Sequence, residues 1–406
     1  MSLQHHINGF HYYLGALGCS AIAMGLQVVI FPWLVVGVLN EAPDRVGLAQ
    51  MAVMLPNLLL ILWGGALSDN RHLGTFVSRL YLLYMLPFAV MLVATLAGYL
   101  SYSLLILFGT TYGVISAFVQ PARESLLSQL AADNLQRSVA LSTLVQFAGQ
   151  SLGLLAAGLF ERVGLASLLI LQMLLFIATS VLIRTSQPPG FGLPAGRQTS
   201  GGRISSGLRE VWHHPRLLPL MSVVGATGFL GFGAYLVAIP IMAREIYQQG
   251  SFFFAALQLS FAIGVLLSNI AYMRLTGGFR RPGKVLIISL FLRGLVMLFI
   301  ATRLPEMLLF PMVVLWGMLS GISISLGRVM THAEAPESHR SRVVSIYQLA
   351  LFGSAPIGAW LCGQMIGWWG VLEVFAVLGV CTVGVACAGV FSQLWRSRPE
   401  RPASQQ

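Results

Sequence analysis

The feature that most restricts this chain is a succession of long apolar runs separated by short polar stretches. A helix crossing a hydrocarbon core of roughly 30 Å needs about 20 mostly apolar residues. That length picks out twelve segments, at 13–39, 46–67, 76–98, 102–122, 139–160, 164–184, 217–240, 251–273, 284–302, 307–327, 343–367 and 369–394. The runs are continuous, whereas a membrane β-barrel alternates in segments of roughly ten residues, so the spans read as helices. Composition removes the soluble alternatives: 56% of the 406 residues are hydrophobic and 9% charged, against roughly 25% charged in a soluble domain. Four cysteines in this length exclude a disulfide scaffold. The net charge of +11 does not indicate a nucleic-acid partner, because the basic residues are scattered between apolar runs. The expected class is an all-α membrane protein whose standing partner is the lipid bilayer.

Loops rich in lysine and arginine face the cytoplasm. Of the 24 basic residues, nineteen fall on the side shared by both termini and every even-to-odd connection. Arg45, Arg162, Arg244 and Arg303 fall on the other side, and Arg293 lies inside a span. This asymmetry predicts cytoplasmic termini for a multi-pass protein of the plasma (inner) membrane, and an odd number of spans would scramble it. Residues 1–13 carry no lysine, arginine or small-residue cleavage site, so the first run reads as a retained helix rather than a signal peptide. The longest polar stretch, Thr185–Pro215, holds Pro188, Pro189 and several glycines. It divides the chain into a six-helix bundle (1–184), a cytoplasmic linker (185–215), and a second bundle with a short tail (216–406).

The two halves repeat. Arg123 and Arg137 are 14 residues apart in the first, and Arg328 and Arg342 have the same spacing in the second, offset by 205. The same offset carries Gly153 onto Gly358 and Gly158 onto Gly363. Four matches at one offset point to duplication, and six-helix repeats are a transporter plan.

Gly64-Gly65-Ala66-Leu67-Ser68-Asp69-Asn70-Arg71 resembles the loop signature Gly-x-x-x-Asp-Arg-x-x-Arg-Arg of the major facilitator superfamily, departing from it after Asp69. Gln120-Pro121-Ala122-Arg123 and Phe31-Pro32-Trp33-Leu34-Val35 resemble that superfamily's enterobactin-exporter-like branch. The resemblance implies twelve helices in two pseudo-symmetric bundles. It also implies a cavity lined by spans 1, 4, 7 and 10, with 2, 5, 8 and 11 beside them.

Three groups of residues are candidates for function. Gly65, Asp69, Arg71, Arg123, Glu124 and Arg137, with Arg328 and Arg342 as repeat mates, are expected at a charged cytoplasmic gate. The bland alternative is that loop arginines only set topology. Gln27, Asn57, Tyr112, Gln146, Gln150, Tyr235, Gln258, Asn269, Tyr347 and Gln348 are polar residues inside spans, and the resemblance places several of them at the cavity. Interhelical hydrogen bonding, worth about 0.6 kcal/mol on average, is the competing reading. Arg293 lies near mid-membrane, where an isolated charge costs at least ~2.5–3.5 kcal/mol. Its expected partner is Glu373, in a structural ion pair.

The leading functional reading is a secondary transporter working by alternating access, moving a small-molecule substrate. A membrane-embedded transferase would need acids or histidines inside the spans, and all eight histidines fall outside the apolar cores. The chain is therefore not expected to be an enzyme, nor to hold a cofactor or a metal. No Gly-x-x-x-x-Gly-Lys motif is present, which excludes an ATP-driven pump in one chain. A channel would leave the repeated loop motifs unexplained. Amides, tyrosines and apolar residues suit bulky amphiphilic cargo, siderophore-like or drug-like, and the exporter-like resemblance implies efflux. An importer of a small organic solute on the same fold stays open, as does coupling to protons.

Overall fold

The computed structural model describes residues 2–68, 72–130, 135–186, 211–274, 281–335 and 340–396. Within the helices, the side chains of 2–8, 61–68, 135–137, 273, 340–342 and 396 are not described. Asp69, Arg71 and most of the expected linker (187–210) therefore lie outside the described residues.

The chain is all-helical among the described residues. The helices are α1 (Ser2–Trp33, ending in a π-turn at Leu34–Val38), α2 (Pro43–Ser68), α3 (Leu73–Leu83 and Met85–Leu96), α4 (Tyr102–Leu130), α5 (Leu135–Ala157) and α6 (Phe160–Ser186). Then come α7 (Leu217–Gly233, continued to Ile246), α8 (Ser251–Arg274), α9 (Pro282–Ile300), α10 (Glu306–Glu334), α11 (Arg340–Gly353 and Ala355–Trp369) and α12 (Val371–Val390). Eleven segments among the described residues are long and apolar enough to cross a membrane. The expected second span falls within α2, a 26-residue helix outside that eleven.

Two spans run further than their apolar stretches suggest. The segment expected at 102–122 continues to Leu130, and that at 307–327 continues to Glu334. A hydropathy ruler stops at the first charge, but the i to i−4 hydrogen-bond ladder has no reason to stop there. Arg123 and Glu124 are thus helical, two turns before the end of α4.

The helices fall into two compact units, Met1–Ser200 with Gln248–Leu259, and Gly201–Tyr247 with Ser260–Gln406. In the first, α1 runs along α5 and α6, and α2 along α4. An aromatic cluster fills the space between α3, α4 and α6: Tyr84 stacks on Phe176 at 4.7 Å and meets Tyr112 at 5.0 Å, and Phe88 meets Phe108 edge-on at 5.1 Å. The start of α8 is held in this unit, where Glu161 Oε1 accepts the Ser251 N–H at 2.9 Å and satisfies one free donor of the helix terminus. In the second unit α7 runs along α11, and α9 along α10 and α12. Its core joins Leu220, Val224, Leu286, Leu290, Leu326 and Tyr347.

Several backbone devices occur twice. Of three five-residue π-turns among the described residues, one starts two residues after Pro32 in α1 and another, Met242–Ile246, two residues after Pro240 in α7, while the third, Ala234–Ala238 in α7, has no counterpart in α1. Proline has no N–H and leaves a carbonyl of the preceding turn unpaired, and a widened turn accommodates the disturbed ladder. The six described residues with left-handed backbone also pair off. Asn40 (φ 51°) matches Gln248 (52°), Gly98 (73°) matches Arg303 (56°), and Gly164 (77°) matches Gly370 (94°). Their separations are 208, 205 and 206 residues.

Helix contacts repeat in the same way. Gly153 on α5 lies on the carbonyl of Ile22 in α1, and Gly358 on α11 lies on that of Phe229 in α7. Gly113 on α4 lies on Val53 of α2, and Gly317 on α10 on Phe261 of α8. A Cβ at any of the four would overlap facing backbone, so a hydrogen in that place sets how closely the helices approach.

Candidate functional site

Of the expected gate, Gly65 lies in α2, and Arg137 and Arg342 lie in α5 and α11 with side chains outside the description. Arg123 is buried at 7% exposure. Its backbone carbonyl accepts a hydrogen bond from the Tyr13 hydroxyl at 3.5 Å, and its Nη2 is 3.7 Å from Glu124 Oε1. Since the Glu124 side chain is 63% exposed, that contact contributes little. Arg328, the repeat mate of Arg123, is exposed on α10. The two arginines, matched by an offset of 205 in the sequence, thus do not share an environment. The second unit has an ion pair that the sequence reading did not single out: Arg216, at the start of α7, lies 3.2 Å from Glu334, at the end of α10. The available signal was an acid immediately beyond an apolar run.

The polar residues of the spans divide by whether a neighbour satisfies them. Gln27 accepts from Gln172 Nε2 at 3.2 Å, and the same nitrogen also reaches the Ala23 carbonyl at 3.1 Å. Asn57 donates to Ser116 at 3.0 Å, joining α2 to α4. Asn269 accepts from Ser325 at 2.7 Å, joining α8 to α10. Tyr347 donates to the Ile324 carbonyl at 2.9 Å. Tyr112 is buried in the aromatic cluster, and Tyr235 packs against Phe261 with ring centroids 4.4 Å apart. Each of these is engaged in tying helices together.

The remaining amides are unengaged. Gln146 and Gln150 are half-buried, one turn apart on α5, and therefore share a face. Gln348 is exposed on α11. Gln258 is fully buried on α8, and neither its Nε2 nor its Oε1 finds a hydrogen-bond partner. Gln172 was missed by sequence reasoning, although an amide in so apolar a run was the visible sign.

The expected bridge between Arg293 and Glu373 does not form. Glu373 is exposed in the first turn of α12, where its carboxylate lies close over Gly370. Gly294, the residue after Arg293, packs against Gly379. That level is six residues along α12 from Glu373, or roughly 9 Å at 1.5 Å per residue. Arg293 is instead 1% exposed, and its Nη2 donates to Thr227 Oγ1 on α7 at 3.5 Å. Its Nε has no partner, and none of the described ion pairs includes it.

Comparison with known proteins places this architecture. Residues 10–402 match the family described as transmembrane secretion effector. The Staphyloferrin A transporter of Staphylococcus aureus (strain NCTC 8325 / PS 47) is 22% identical over 355 residues, covering 85% of this chain and 86% of the relative. Among solved structures, the nucleoside transporter NupG superposes with a TM-score of 0.69 at 12% identity, covering 96% of this chain and 100% of that one. A POT family transporter in complex with a thioalcohol-conjugated peptide gives 0.70 at 11% identity, covering 94% and 95%. At such identities the structures establish a shared fold. The match over almost the whole length establishes more: this multi-pass membrane protein is a transporter rather than an enzyme, and belongs to the transmembrane secretion effector family of the major facilitator superfamily.

Proposed function

We propose that the chain exports a bulky amphiphilic small molecule of siderophore-like character across the plasma membrane by alternating access. The observation that carries this reading is the match to a secretion effector family over residues 10–402, joined to a relative named for a siderophore. Eleven apolar segments, together with the 26-residue α2, support a reading of twelve spans, and the distribution of basic residues supports cytoplasmic termini. Paired π-turns, paired left-handed residues and paired glycine contacts support two six-helix repeats. Gln146 and Gln150 are the amides proposed to meet cargo, because no neighbour satisfies them. Asp69, with Arg71, is proposed as the inner gate, and Asp69 and Glu124 as the titratable groups through which a proton gradient drives export. Asp69→Asn should then slow turnover more than it weakens binding, because a gate biases the inward–outward equilibrium without touching cargo.

The test is accumulation of iron-free and ferric Staphyloferrin A in inside-out vesicles, with and without an imposed pH gradient. Export predicts gradient-dependent uptake into inside-out vesicles that exceeds uptake into right-side-out ones. The reverse preference would make the chain an importer.

A further inference from the structure

We propose that Arg293, Thr227 and the gap over Gly231 form a subsite in the second unit that takes a carboxylate group of the transported molecule. This rests on the transporter reading and narrows its cargo to compounds that carry a carboxylate.

A guanidinium inside a span is costly unless it is paired or faces a wet cavity. Arg293 has neither in this conformation. It is 1% exposed, its Nε is unpartnered, it takes part in no described ion pair, and its hydrogen bond to Thr227 is long at 3.5 Å. Hydrogen bonds to a charged donor are normally 2.7–2.9 Å, so the hydroxyl is a poor substitute for a counter-ion. The neighbouring surface of α7 is open at one place. Gly231 is half-buried, and a Cβ built there would meet Arg293 Nη1 at 3.8 Å and no other neighbour within 4 Å. A carboxylate oxygen entering the space over Gly231 therefore meets Nη1 first and closes to bonding distance by moving toward it. Gly228 and Gly233 differ, being pressed against the carbonyls of Leu351 and Gly358, and Gly225, which also has room, faces Ala350 rather than a charged group. Of the two open positions, only the one at Gly231 has the guanidinium as its neighbour.

A guanidinium presents planar paired donors that match a carboxylate bidentately. Nη1 and Nη2 supply those donors, and the Thr227 hydroxyl adds a third. A carboxylate arriving there supplies the charge that the fold does not.

The test uses the purified full-length chain in detergent, with citrate as the carboxylate probe and chloride at matched ionic strength as control. Phenylglyoxal modification of Arg293 is followed by mass spectrometry of its peptide. The expected result is slow labelling of Arg293 that citrate suppresses by about threefold at twice its half-saturating concentration, as mass action requires. Chloride should not suppress it. Gly231→Leu, whose Cβ would sit at an ordinary 3.8 Å from Nη1, adds bulk beside the guanidinium while keeping it, and should remove citrate protection. Arg293→Lys should retain the fold with weakened citrate stabilisation of Tm. An arginine that never labels, or one that citrate does not protect, would overturn the subsite. Unchanged protection in Gly231→Leu would overturn the proposed location. These outcomes are independent of the vesicle experiment, whose failure would bear on transport alone.

Discussion

At the scale of single residues, the sharpest constraint is a hydrogen where any side chain would collide. Gly358 sits on the Phe229 carbonyl, so Gly358→Leu must push α11 off α7. Forced overpacking of this kind costs about 1–3 kcal/mol. A Tm lower than wild type is the expected outcome, measured on protein in detergent. Gly367, on the same helix, has open space around its Cβ position and helical backbone. Gly367→Ala should leave Tm unchanged or raise it slightly, since alanine is favoured over glycine in a helix by about 1 kcal/mol. Equal losses in the two variants would show that small size as such, rather than close approach, matters in α11. Gly370 adds a second kind of requirement, because its φ of 94° strains any L-residue irrespective of space.

At the scale of helices, polar residues inside spans act chiefly as fasteners. Asn57–Ser116 ties α2 to α4, and Asn269–Ser325 ties α8 to α10, so the same residue types join the equivalent pair in each unit. The two fasteners are not at the same depth, because 57 to 269 is a longer separation than the glycine contacts beside them follow. A double-mutant cycle on Asn57→Ala and Ser116→Ala should give a coupling of about 0.6 kcal/mol, in line with interhelical hydrogen bonds in membranes generally. A coupling near zero, with full transport retained in both single variants, would remove this bond from the account of the helix pair. The prolines at 32 and 240 work at the same scale, each followed by a π-turn that re-aims the last turns of a long helix.

At the scale of the whole molecule, charge distribution sets orientation. With the twelve spans expected from the sequence, nineteen of 24 basic residues fall on the side of the termini and the central polar stretch, and since basic loops stay in the cytoplasm, that side is proposed to be cytoplasmic. Single cysteines introduced at Ser200 and Glu41, in a chain lacking its four native cysteines, should report this by impermeant labelling of intact cells. Glu41 should label from outside and Ser200 only after permeabilisation. Labelling of Ser200 in sealed cells would invert the topology.

The sequence alone determined the class of the protein and the approximate place of its spans, because both follow from summed hydropathy over a fixed length. It also carried the signs on which the proposed repeat rests, since arginine spacing and glycine offsets survive as plain numbers. What it did not determine was which polar residue meets which. Pairing depends on the rotation of each helix about its own axis and on its level along its neighbour, and neither is written in one segment. Arg293 and Glu373 looked complementary in a list of charged residues, yet packing of Gly294 on Gly379 sets them at different levels. Gln27 looked like a cavity residue, yet α6 presents Gln172 to it. Helix ends were misread for a related reason: hydropathy measures where lipid ends, and the backbone ladder of α4 and α10 continues beyond that point. Only the tertiary structure could leave one arginine buried without a counter-charge beside a gap in α7.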